Sequence, residues 1–275
     1  MAAERSPSKR IPILRFVFAV LFFIVSAITT FSQQPFVTDD ADVIARHRFH
    51  FELSNQTDSL QPISFPSRKQ NTLDFEVDFG LFHGVEVGVE VPIITIFNDR
   101  GAEFRRPTGY GDMNISVKYN FREERKESRL PAMTIAANFE VPTGDVRRQL
   151  GSGLADFYIN GVLQKTVTKK TVLHLNGGIL FSGNDTTGVI GIKSRGTVFT
   201  GSGSLVRKFA PKLDLGVELV GAVTRNFNLG KGQLQSTLGG KYSLRDNMTF
   251  DFGIVFGKFS ASPRAGVQLG ISIDF

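Results

Sequence analysis

Residues 265–275 read AGVQLGISIDF, with Val267, Leu269, Ile271, Ile273 and Phe275 alternating with Gly, Ser and Asp. A two-residue period places the apolar set on one face of an extended strand. In water that face would need cover, and the strand would need a partner for its free edge. In lipid an apolar face needs no polar cover, and a sheet closed on itself has no edge. The segment therefore predicts the last strand of a membrane barrel.

The same alternation recurs along the chain. Apolar sets occur at Phe49, Phe51 and Leu53, then at Leu73, Phe75, Val77 and Phe79, then at Val85, Val87, Val89 and Val91. Met113 to Phe121 and Met133 to Val141 follow, then Phe157, Ile159 and Leu163, then Leu173, Leu175, Ile179 and Phe181. A less regular strand is expected over residues 197–208. Leu213 to Val223, then Leu234, Leu238 and Tyr242, then Met248 to Phe256 precede the terminal segment. No stretch after the first thirty residues carries a 3.6-residue period, so the reading is all-β with about twelve strands.

Connection lengths narrow the architecture. Even-numbered strands end in short turns such as LFHG, TVTKK, FAPK and LRDN, with a longer REERKESR. Odd-numbered strands end in long loops, among them NQTDSLQPISFPSRKQ, NDRGAEFRRPTGYG and PTGDVRRQLGSG. Short turns at one end, long loops at the other and an even strand count predict an up-and-down outer-membrane barrel with both termini in the periplasm. A secreted soluble sandwich shares the alternation, and periodicity alone does not separate the two. The sandwich, however, needs Greek-key connections and gives no reason for loop lengths to alternate.

Composition and the leader bound the function. The chain has 275 residues, 28 Gly, 26 Phe, no Trp and no Cys. Its mean hydropathy of −0.03 excludes a bundle of transmembrane helices. MAAERSPSKR is a basic leader, and the apolar run 16–25 is too short to span a bilayer as a helix. Residues 1–32 are expected to be a signal peptide cut after Ala27 or Ser32, with an uncleaved anchor as the alternative. Residues 33–45 are expected as a periplasmic segment and residues 46–275 as the barrel. The leader holds four of the 32 bases and one of the 26 acids, leaving 28 against 25. That near-balance removes the main support for a nucleic-acid partner.

The face opposite the apolar sets is polar and predicts the lumen wall. Its candidates are Glu52, Asp74, Glu76, Glu86, Glu90, Lys118, Glu140, Asp156, His174, Glu218 and Lys241. Acids dominate this face, whereas bases dominate the long loops. Arg105, Arg106, Asp112, Asp145, Arg147 and Arg148 are placed at the extracellular mouth. Three readings of the basic loops stand: contact with lipopolysaccharide phosphates, an inward-folded loop pairing with the acidic wall, and an acidic wall selecting cationic solutes. Asp112 in GYGD and Asp145 in PTGD have two readings, a substrate-binding or cation-binding rim and plain turn chemistry.

Arg46 and Arg48 begin strand one beside Asp78 and Asp274, which predicts ion pairs at the closing seam. Of the four His, none has a Ser of matching parity placed beside it by sequence, and no metal-ligand spacing, phosphate loop or nucleophile elbow occurs. No enzyme activity, cofactor or metal is expected. A strand spacing of about 4.8 Å and a tilt near 40° give a backbone radius of roughly 12 Å, too narrow for a general porin.

Several stretches resemble the outer-membrane family named after the MetA pathway of phenol degradation: PFVTDDADV, GYGDMNISVKYNF, FEVPTGD, GSGLADFYINGVLQKT and the alternating C-terminal end. The resemblance implies a twelve-stranded outer-membrane barrel that passes small solutes, aromatic or apolar ones among them. It also implies that Val267, Leu269, Ile271, Ile273 and Phe275 form the signal read by the barrel assembly machinery. A structural or lipopolysaccharide-contacting barrel without transport is the second expectation, and a barrel hydrolase the third. The barrel is expected to be monomeric.

Overall fold

The computed structural model describes residues 35–125, 128–193, 195–225 and 231–275. The predicted leader lies outside the described residues. Twelve long strands follow in chain order: β1 (Phe49–Ser59), β2 (Ser67–Phe82), β3 (Val85–Asn98), β4 (Met113–Arg122), β5 (Ala132–Val141) and β6 (Asp156–Thr168), then β7 (Thr171–Ser182), β8 (Gly196–Ala210), β9 (Leu213–Thr224), β10 (Gln233–Arg245), β11 (Met248–Gly257) and β12 (Ala265–Asp274). Each pairs antiparallel with its sequence neighbour, and β1 pairs with both β2 and β12, so the sheet closes. A short strand, Thr108–Tyr110, extends the β3 ladder toward the long-loop end.

The observed faces follow the sequence parity. Ile115, Val117, Tyr119 and Phe121 of β4 all point outward, with Tyr119 51% exposed. Between them Asn114, Ser116, Lys118 and Asn120 point inward. Large exposed apolar side chains girdle every strand, as a lipid-facing band requires. The closed antiparallel ladder pairs the backbone of each strand with both neighbours, the condition for strands in hydrocarbon.

Two segments enter the barrel. The first is residues 35–45, expected as a periplasmic segment and found against lumen-facing side chains. Glu218 Oε1 accepts from the Thr38 N–H at 2.6 Å, Gln164 Oε1 from Ala41 at 3.0 Å and Glu86 Oε2 from Ile44 at 2.7 Å. The Ala41 carbonyl accepts from Asn120 and from the Thr134 hydroxyl, each at 2.5 Å. Lumen-facing glycines leave room for this segment. A Cβ on Gly216 would sit 2.8 Å from Phe36 Cζ, and one on Gly239 would sit 2.7 Å from Pro35 Cγ. Glycine usually weakens a strand interior, and here it admits a second segment of the same chain.

The second is the long loop after β7, described over residues 183–193, with a small hairpin pairing Thr186–Thr187 with Ile190–Gly191. It crosses to the opposite wall, where Gln70 donates to the Thr187 carbonyl and accepts from the Val189 N–H, both at 2.8 Å. Val189 joins Leu60, Ile94, Ile96 and Leu150 in a buried apolar cluster at the long-loop end. Apolar residues inside a polar lumen are thereby accounted for.

Candidate functional site: the lumen

Strand register builds the site. Glu52 opposes Glu76, Glu76 opposes Glu90, Glu90 opposes Asn114, Asn114 opposes Glu140 and Glu140 opposes Asp156. Five carboxylates thus follow one hydrogen-bonding row through β1 to β6. Because barrel strands tilt, such a row climbs the wall as a spiral. Like charges directly opposed destabilise a sheet, so this row costs stability. Asp74 lies beside it on β2.

A cavity of about 430 Å³ lies against this row. One arc of its wall holds Glu76, Glu90, Asn114 and Glu140, and the other holds Tyr158, Leu180 and Val220. Phe36 and Val37 of the inserted segment complete the apolar side. The cavity therefore has a carboxylate-rich flank and a mixed flank, on which Phe36, Leu180 and Val220 supply apolar surface among Asn160, Thr200 and Gln233.

Lys118, buried inside the wall, anchors the inserted segment. Its Nζ lies 3.6 Å from Asp40 Oδ1 and 3.9 Å from Glu86 Oε1. A buried charge is retained only when paired, and Asp40 supplies part of that pairing. Lys241 sits opposite Asp214 and Asp251 in the β9 and β11 ladders. Glu218 is occupied by the Thr38 backbone. The expected lumen residues face inward, but Glu86, Lys118 and Glu218 hold the inserted segment, and Asp156 holds the inward loop, rather than an open passage.

His174 requires a correction. Sequence parity shows no Ser beside it, yet β8 brings Ser204 into register, and His174 Nδ1 lies 3.0 Å from Ser204 Oγ. Parity on one strand does not reveal a partner on the next. Ser204 is only 2% exposed.

The seam also differs from expectation. The barrel was expected to begin at Arg46, but residues 45–48 form a turn with His47 at φ 63°, and the Arg48 N–H donates to the Ala45 carbonyl. Arg46 and Arg48 are left exposed, and among the described residues neither is in an ion pair. His50 takes the place: its Nδ1 lies 2.7 Å from Asp274 Oδ1 and its Nε2 3.9 Å from Glu52 Oε2. Asp78 opposes His50 on β2.

At the long-loop end Asp112 and Asp145 do turn chemistry. Asp112 accepts from the Gly144 N–H at 2.8 Å and the Ser152 N–H at 2.5 Å, tying two loops together. Asp145 accepts from the Arg147 and Arg148 N–H groups at 3.0 and 3.3 Å. Arg106 lies over the Phe97 ring at 4.8 Å and Arg148 over Phe104 at 5.8 Å, while Arg105 and Arg147 are exposed. The Arg68 fork on Asp99, at 2.5 and 2.6 Å, holds that carboxyl below the usual range. The inward loop brings Asp185, not its bases, to the acidic wall. Burial first, and then the Asp156 charge, pushes the Asp185 carboxyl up to about 6.

A closed twelve-stranded antiparallel barrel with a lipid-facing apolar girdle and a polar lumen is an outer-membrane β-barrel. The chain belongs to the family described as putative MetA-pathway of phenol degradation, whose model matches residues 68–275. Among solved structures it is similar to the COG4313 outer membrane channel from Pseudomonas putida F1, at 12% identity and a TM-score of 0.66, over 86% of this chain and 98% of that one. It is also similar to the KdgM porin, at 9% identity and TM-score 0.54, over 82% and 99%. The NanC porin gives 12% identity and TM-score 0.54, over 82% and 98%. No curated protein matches the sequence significantly.

Proposed function

We propose that the protein is an outer-membrane channel for small solutes that carry an apolar body and a cationic or hydrogen-donating group. The observation that carries this is a cavity that sets a carboxylate-rich flank beside patches of apolar surface. Glu76, Glu90 and Glu140 can accept from an ammonium or hydroxyl, while Phe36, Leu180 and Val220 contact an apolar ring. The family's expected aromatic solutes fit that division. The COG4313 relative is named as a channel, which agrees with the reading. Both termini face the periplasm in this account, and the Arg-rich loops meet lipopolysaccharide phosphates outside. The C-terminal strand serves as the assembly signal, and the barrel works as a monomer.

The Ser204–His174 pair belongs to the wall, because a 2%-exposed hydroxyl has no room for an ester or amide substrate. The protein is read as a channel without enzymatic activity. A second reading is a structural barrel without transport, favoured by the two segments that enter the lumen. Proteoliposome flux separates the two. Phenyltrimethylammonium and benzenesulfonate are similar in size and permanently charged. The channel reading expects the cation to enter faster than the anion and faster than into empty vesicles. Flux equal to empty vesicles for both would favour the structural barrel.

A further inference from the structure

The inward loop and the wall meet at three carboxylates. Glu140 on β5 and Asp156 on β6 are buried, Asp185 on the loop is half-buried, and all three line the lumen cavity. One oxygen from each lies within 4.8 Å of the others. Asp156, 3% exposed, accepts from the Gly183 and Asn184 N–H groups through Oδ1. Its Oδ2 is buried with no hydrogen-bond partner among the described residues. None of the three carboxylates is in an ion pair among those residues. A buried, unpaired carboxylate oxygen beside two further acids calls for a positive charge that the described protein groups do not supply.

The donor set selects the ion. All candidate ligands are oxygen, which favours a hard divalent cation over zinc or copper. Calcium takes oxygens at roughly 2.3–2.6 Å, so three oxygens within 4.8 Å of one another can share one ion. Magnesium demands a stricter octahedron at about 2.0–2.1 Å and gives up its waters reluctantly, so a set of three protein carboxylates from two strands and a loop suits calcium better. Asp112 lies near Glu140, but its oxygens are taken by Gly144 and Ser152.

We propose that Glu140, Asp156 and Asp185 bind one Ca²⁺ ion, which fastens the loop of residues 183–193 to the barrel wall. Two ligands come from the wall and one from the loop, so binding couples directly to loop position. Occupancy narrows the cavity at its long-loop end and neutralises the upper end of the acidic row. The proposal does not depend on which solute crosses the barrel.

Calorimetric titration of CaCl₂ into the full-length mature protein tests it, with the protein refolded in lipopolysaccharide-free detergent and stripped with EDTA. Saturable binding of about one Ca²⁺ per barrel is expected, near the roughly millimolar affinity of extracellular calcium modules. Asp185→Asn and Glu140→Gln should each weaken it by roughly tenfold or more. Asp185 lies in a loop and Glu140 keeps its volume as Gln, so both variants should retain the heat-modifiable gel shift of a folded barrel. Absence of saturable binding in the wild type, or equal affinity in both folded variants, would overturn the proposal. Tighter binding of Mg²⁺ than Ca²⁺ would overturn the choice of ion.

Discussion

His50 Nδ1 lies 2.7 Å from Asp274 Oδ1 across the seam where β1 meets β12. The two residues are also direct register partners. Backbone pairing of Phe49 with Phe275 continues the seam by one residue, with N–H to carbonyl distances of 3.3 and 2.9 Å. The first and last strands are thus locked at one end by a side-chain pair and a reciprocal backbone pair.

Removing the side-chain pair should loosen closure. His50→Ala is expected to cost about 2 kcal/mol, the scale of a lost charge-assisted hydrogen bond. The thermal midpoint of the heat-modifiable gel shift should fall accordingly. Arg48→Glu should leave that midpoint unchanged, because Arg48 is exposed and takes no part in the pairing. Deleting Phe275 should reduce assembled barrel in the outer membrane more than it reduces export to the periplasm.

The inserted segment should limit conductance. Gly216→Val places side-chain atoms where Phe36 Cζ now lies, since even a Cβ would come within 2.8 Å of it. Phe36 must leave its notch, and single-channel conductance should rise severalfold over wild type. An unchanged conductance with an intact gel shift would mean that the segment does not narrow the path.

Acid should tighten the inward loop when divalent ions are absent. Asp185 titrates at about 6 when docked, facing Asp156 and Glu140, against an ordinary value near 3.8. The docked form holds its proton to higher pH, so its advantage is full below about pH 4 and is lost as pH rises through about 6. In EDTA, trypsin cleavage after exposed Lys193 or Arg195 should therefore increase from pH 5 to pH 7 more in wild type than in Asp185→Asn. Equal pH dependence in the two proteins would remove Asp185 from loop docking.

The strands were legible because each repeats one simple rule, alternation, over about ten residues. Tyr119 outside and Lys118 inside follow from parity alone. What the barrel encloses was not legible in that way. PFVTDDADV carries no strand period, and its seat in the lumen depends on glycines on separate strands, among them Gly216 and Gly239. Those glycines look like strand weakeners until the segment that fills them is placed. Ser204 and His174 were likewise invisible as a pair, because cross-strand register depends on turn geometry. The seam failed by a small shift: a turn at residues 45–48 removes Arg48 from the position that His50 takes. The acidic composition of the wall was readable, but its order as a row from Glu52 to Asp156 required the register of six strands.

In the function proposed for this barrel, small solutes cross a lumen whose acidic row favours positive charge. Single-channel recording of the refolded protein in a planar bilayer, under a KCl gradient, tests it most directly. Small discrete openings are expected, with a reversal potential of cation-selective sign that moves toward zero in the Glu76→Gln, Glu90→Gln double variant. A silent membrane, or an anion-selective reversal potential, would contradict it.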